Sequence, residues 1–145
     1  MKFITLIALF VSTAAFATEY VSKKLSWSPM THSGWTETYY NCDWAEGQVE
    51  SHLQSLGAQN ISVSCSGGIQ WNWTSPIFVN AKFDVPTNGS VSRDVTLSGN
   101  DACNFNTDFL DRVIPMFPGV AVRSRRSSCM GGRFDSWSYA LTVSE

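Results

Sequence analysis

The sequence predicts an α+β domain in which a mainly antiparallel β-sheet is backed by two α-helices. Three observations carry that prediction. Two segments repeat apolar residues at helical spacing, and several others alternate strictly between aliphatic and polar residues. In the alternating segments the polar partner is often serine, as in Ser62, Ser64 and Ser66. That composition suits a sheet covered on one face only, and two amphipathic helices can supply the cover. Third, the order of elements between cysteines recurs in the second half of the chain.

Taken in order, Tyr20 to Trp27 and Trp35 to Tyr40 are candidate strands. Asp43 with Glu46 three residues on has the spacing of a capping box. Ala45, Val49, Leu53 and Leu56 then form an apolar helical stripe that Gly57 stops. Ile61, Val63 and Cys65 alternate with serines as a strand with one buried face. Ile77, Val79, Ala81, Phe83 and Val85 alternate again, with Asn80, Lys82 and Asp84 on the opposite side. Pro86-Thr87-Asn88-Gly89 reads as a turn, and Val91, Val95 and Leu97 as the return strand of a hairpin. The second helix is expected to start near Asn104 or Asn106 and to bury Phe105, Phe109, Val113 and Phe117. Pro115 should end or kink it, because proline lacks the donor and collides with the preceding turn. Val120 and Val122 begin a strand whose other face carries Ala121, Arg123 and Arg125. In the last strand, Trp137, Tyr139, Leu141 and Val143 face inward.

The chain therefore reads as pseudo-duplicated ββαβ halves, about 20–74 and 77–145. In each, a cysteine opens the helix and a second cysteine follows the strand, one residue before Gly-Gly: Cys42 and Cys65-Ser66-Gly67-Gly68, then Cys103 and Cys129-Met130-Gly131-Gly132. At fold level alone this resembles a ferredoxin-like arrangement with extra strands, which implies no activity. The repeat also constrains the bridges. A helix from Cys42 to Gly57 is about 22 Å long at ~1.5 Å per residue. A returning strand climbing ~3.3 Å per residue regains the level of Cys42 near Cys65. Cys129 overshoots by a few residues, which a bulge can absorb. The expected pairs are Cys42–Cys65 and Cys103–Cys129.

The remaining arithmetic concerns compartment and partners. Of the 145 residues, 1–17 read as a cleaved signal peptide: Lys2, the apolar run Phe3 to Val11, then Ala15-Phe16-Ala17. Cleavage leaves 18–145 as a single disulfide-bonded domain, and its Ala-x-Ala end favours bacterial export, to the periplasm or the medium. An oxidising destination agrees with an even number of cysteines. The full chain has 10 Lys plus Arg against 12 Asp plus Glu, so a globally basic nucleic-acid binder is excluded. Beyond the signal no apolar stretch approaches the ~20 residues of a membrane span. Asn60, Asn72 and Asn88 each open a glycosylation sequon.

Catalytic signatures are missing. The two histidines are His32, in a turn-like segment, and His52, beside the first apolar stripe. There is no Gly-x-Ser-x-Gly elbow and no metal-ligand spacing, and oxidised thiols cannot ligate. No metal or other cofactor is expected. Asp108 with Asp111 and Glu46 with Glu50 lie one helical turn apart, the usual pattern of a solvated face.

Two features suggest binding instead. Trp71 and Trp73 follow Gly67-Gly68 in the link between two strands, where they could stack on a sugar or fold back over the core. Arg123, Arg125, Arg126 and Arg133 gather around Cys129 on an otherwise acidic chain. They could dock an acidic polymer, lipid headgroup or protein, or could guard an edge strand. The expectation is a non-catalytic exported binding domain that recognises a protein or envelope polymer through this Arg/Trp surface. An inhibitor or immunity-type protein acting through a 68–76 loop, and a small secreted hydrolase, are the alternatives.

Overall fold

A computed structural model describes residues 19–29, 41–70, 73–87, 95–99, 102–129 and 136–143, with backbone alone at 69, 70, 73–75 and 143. The strands are β1 (Tyr20–Trp27), β2 (Gln59–Gln70), β3 (Trp73–Pro86), β4 (Val95–Gly99), β5 (Val120–Ser128) and β6 (Ser136–Val143). The helices are α1 (Cys42–Ser55) and α2 (Cys103–Val113), and a 3₁₀ turn over Ile114–Met116 follows α2. The class is α+β. The strands form two three-stranded antiparallel sheets, ordered β1-β3-β2 and β4-β6-β5. Each sheet takes its strands from one half of the chain and centres its last strand.

Three expectations need correction. The single ferredoxin-like sheet is replaced by these two. Each half runs β-α-β-β, not ββαβ, with elements from 20–86 and 95–143. Third, β3 and β4 are not a hairpin. Both edges of β3 are already occupied, by β1 and β2, so β4 has no partner there and pairs with β6 instead. The expected strands at 35–40 and 91 lie outside the described residues.

Local chemistry explains the helix ends. Asn41, not Asp43, caps α1: its side chain accepts from the backbone N–H groups of Asp43 (2.8 Å) and Trp44 (3.3 Å). Asp43 is left in the first turn, where a carboxylate favours the positive helix end. At the other end Gly57 takes φ 84°. Its N–H reaches Gln54 O and that of Ala58 reaches Leu53 O, the paired bonds of a Schellman stop. Helix α2 begins at Cys103, earlier than expected, behind Ala102 in a left-handed conformation with no side-chain cap. The α-helix ends at Val113 and passes into the 3₁₀ turn that contains Pro115.

Disulfides Cys42–Cys65 and Cys103–Cys129 occupy matching places in the two halves. Each ties the first residue of a helix to the strand that follows it or to that strand's end. The interior is one continuous core. Ile77, Val79, Ala81, Phe83 and Val85 of β3 and Trp137, Tyr139 and Leu141 of β6 are buried together with the apolar residues of both helices. Phe105 and Phe109 of α2 lie 4.9 and 5.6 Å, centroid to centroid, from Trp27 of β1. Phe117 stacks on Phe83. Helix α2 thus packs against the first sheet although its own half forms the second.

Candidate functional site

Strand β5 is an edge strand, and its residues after Val120 are all exposed. Arg125 does not lie on the face opposite Val120 and Val122, contrary to the simple alternation. The register slips between Val122 and Ser124, so Arg123 is an inserted bulge residue. Before it, Val122 opposes buried Leu141; after it, Arg125 opposes buried Tyr139, while Ser124 and Arg126 oppose Ala140 and Ser138. One extra residue inverts the parity of everything downstream. Arg125 is thereby turned to the helix side of the sheet and Arg126 to its open side. A one-residue bulge leaves no trace in hydrophobic periodicity once the strand is exposed throughout.

On the helix side, Arg125 is already engaged. Its guanidinium pairs with Asp111 at 3.1 Å and lies 5.6 Å from the centre of the Tyr139 ring. The Tyr139 hydroxyl donates to the same carboxylate, with Thr107 O 3.3 Å away. Burial, followed by the hydrogen bond to Asp111 and that residue's charge, raises the Tyr139 pKa well above the usual phenol range, and Arg125 opposes the shift. The phenol stays a donor at any physiological pH. Asp108, the other carboxylate of the expected helical pair, accepts from Trp27 Nε1 at 2.6 Å and pairs with Arg112 at 3.2 Å. Both aspartates therefore fasten α2, one to each sheet.

Arg126 is different. Its neighbours on the open face are Ser124 and Ser128 along the strand and Ser138 across it, and Ser128 and Ser136 hydroxyls meet at 2.9 Å. It makes no ion pair among the described residues. Arg133, Trp71 and His32 lie outside the described residues, as does the Trp73 side chain. The expected 68–76 loop is corrected: β2 runs to Gln70 and β3 starts at Trp73, with Gln70 and Trp73 in register, so only two residues connect the strands. At the Asn60 sequon the side chain is exposed but hydrogen-bonded. Asn60 sits at φ 50° beside a register shift, and its amide donates to Asp84 at 2.8 Å. The Asn72 and Asn88 sequons lie outside the described residues.

His52 is buried, with 7% of its surface exposed. Its Nε2–H donates to Asn106 Oδ1 at 2.6 Å, an orientation supported by the Asn106 amide donating to Ala102 O. The ring stacks on Phe109 and meets Trp137 edge-on. Burial lowers its pKa below the ordinary 6.5, against the opposing effect of the Asn106 hydrogen bond. The unfolded chain then binds more protons than the folded one just below pH 6.5, and stability falls as pH falls through that window. Wild-type protein should lose up to ~1.4 kcal/mol per pH unit more than a His52→Gln variant between about pH 6.5 and the folded value. Urea melts of both proteins from pH 7.5 to 5 measure this, and parallel curves would refute it.

Comparison of the chain with protein-family models, with curated proteins and with solved structures finds no match in any of the three. The site is therefore judged on its chemistry. Charge is segregated by element: among the described residues Lys23, Lys24, Lys82, Arg123, Arg125 and Arg126 lie on strands and only Arg112 on a helix. Asp43, Glu46, Glu50, Asp108 and Asp111 lie on helices, leaving Glu19 and Asp84 elsewhere. A molecule acidic in total thus presents cations on its sheets.

Proposed function

We propose that this chain is a non-catalytic, exported binding domain that holds an acidic envelope polymer against β5. The observation that carries the reading is the segregation of charge. It sets Arg126 on an open, serine-lined sheet face and Arg123 at a bulge beside it, with no carboxylate on β5 itself. Guanidinium groups match carboxylate and phosphate oxygens in geometry as well as charge. Arg125 serves instead as the strut between β5 and Asp111, so the recognition work falls to Arg126, with the charge of Arg123 beside it at the bulge. The roles held by His52, Asp108 and Asp111 also favour binding, since each is engaged in fastening the fold.

Two bridges and a continuous core suit a scaffold that holds its surface rigid outside the cell. The test uses immobilised polygalacturonate and polyphosphate. Changing Arg123 and Arg126 together to Gln should weaken retention on both by about tenfold, equivalent to ~1.4 kcal/mol, and reduce its salt sensitivity. Undiminished retention of that variant on both matrices, or no retention of the wild type on either, would end this reading.

A further inference from the structure

The outer face of the first sheet carries a combination that packing does not require. Lys24 of β1 and Lys82 of β3 stand directly opposite one another. Like charges so placed in an antiparallel pair repel across about 5 Å between Cβ atoms. Neither lysine makes an ion pair among the described residues. The carboxylate at the end of the same face, Asp84, accepts a hydrogen bond from Asn60. A lysine on an edge strand commonly blocks unwanted pairing, which could explain Lys24 on β1. It does not explain Lys82, because β3 is the central strand.

Two further features share that face. Ser26 donates to Asn80 Oδ1 at 2.7 Å, which fixes the amide and leaves its nitrogen as a donor. Phe78, on the central strand, is 52% exposed, more than any other large hydrophobic among the described residues. Ser66, Ser64 and Ser62 of β2 oppose Phe78, Asn80 and Lys82 in turn, so among the described residues the strand neighbours on the β2 side of this line are small. Alternate residues of one strand place Phe78, Asn80 and Lys82 in a line of about 13 Å from first to last, at ~3.3 Å per residue. That length accommodates more than one pyranose ring.

We propose that the outer face of the first sheet binds an acidic polysaccharide: Phe78 packs on the apolar face of one sugar ring, Asn80 hydrogen-bonds ring hydroxyls, and the Lys24–Lys82 pair clamps the carboxylate of a neighbouring sugar. The proposal rests on the reading of the chain as a binder of acidic polymers and names the polymer's chemistry. It makes the face about β3, not β5, the one that distinguishes sugar from other polyanions. A ligand carboxylate between the two ammonium groups would also relieve their repulsion. The occupant is argued from charge complementarity and from the line of aromatic, amide and cation.

The experiment measures equilibrium binding of the disulfide-bonded protein to sodium polygalacturonate, neutral dextran and sodium polyphosphate. Polygalacturonate should bind and dextran should not. Phe78→Ser should weaken polygalacturonate binding about tenfold without changing its salt dependence, and should leave polyphosphate binding unchanged. Lys24→Gln with Lys82→Gln should weaken polygalacturonate binding about tenfold or more and flatten its salt dependence. Unchanged melting temperatures would show that these surface variants remain folded. If either variant binds polygalacturonate as wild type does, this proposal is overturned while the broader acidic-polymer reading stands. If the wild type binds neither polyanion, both fall.

Discussion

Phe109→Ala should destabilise the protein by about 3–5 kcal/mol, the usual range for removing a buried aromatic ring. The ring is fully buried on α2 and touches Trp27 of the first sheet and His52 of α1. The cost of such a truncation depends on how far the neighbours can collapse into the space. Here they cannot move freely. Trp27 is held through its indole N–H to Asp108, and His52 is held to Asn106. Urea denaturation of wild type and variant measures the difference. A loss below about 1 kcal/mol would show that the space refills or that the ring does not join the two halves.

Removing either disulfide should cost about 3 kcal/mol, and the two losses should be similar. Cys42–Cys65 and Cys103–Cys129 close loops of 23 and 26 residues. Loop entropy varies only logarithmically with length, so this difference has almost no effect. Each bridge also secures the start of a helix against its strand. Cys→Ala pairs avoid burying a new hydroxyl at Cys103, whose side chain is wholly enclosed. Unfolding free energies of the two double variants, each extrapolated to water with its own denaturant slope because an uncrosslinked denatured chain is more open, provide the comparison. A bridge whose loss leaves that free energy unchanged would contradict the entropic argument for that half.

Much of the architecture was legible because it is local. The stripe Ala45, Val49, Leu53 and Leu56, the alternation from Ile77 to Val85, and the inward set Trp137, Tyr139 and Leu141 all appear as buried faces in the structure. The stop at Gly57 and the interruption at Pro115 were also readable, since both follow from backbone sterics. Strand partners were not. A strand's pattern says which face is buried but not which strand lies beside it. The assignment of β4 to β6 depended on both edges of β3 being taken.

The candidate sites divide the same way. An arginine cluster on β5 was visible as a run of residue types. Which of the adjacent Arg125 and Arg126 turns inward as a structural strut and which stays outward depended on the bulge at Arg123. The carboxylate partner, Asp111, comes from a different element. The Lys24–Lys82 pair was hidden for the same reason: the two residues are 58 positions apart and become neighbours only through the β1–β3 register. Phe78 was hidden between Ile77 and Val79, where an apolar residue on the wrong face resembles its buried neighbours.

The sequence by itself thus determined the elements, their buried faces and their stops, because these follow from the conformational preferences and periodicity of adjacent residues. Tertiary structure alone decided the division into two sheets, the direction in which each arginine points and the meeting of Lys24 with Lys82. These depend on register and on competition for strand edges, which are properties of contacts distant along the chain.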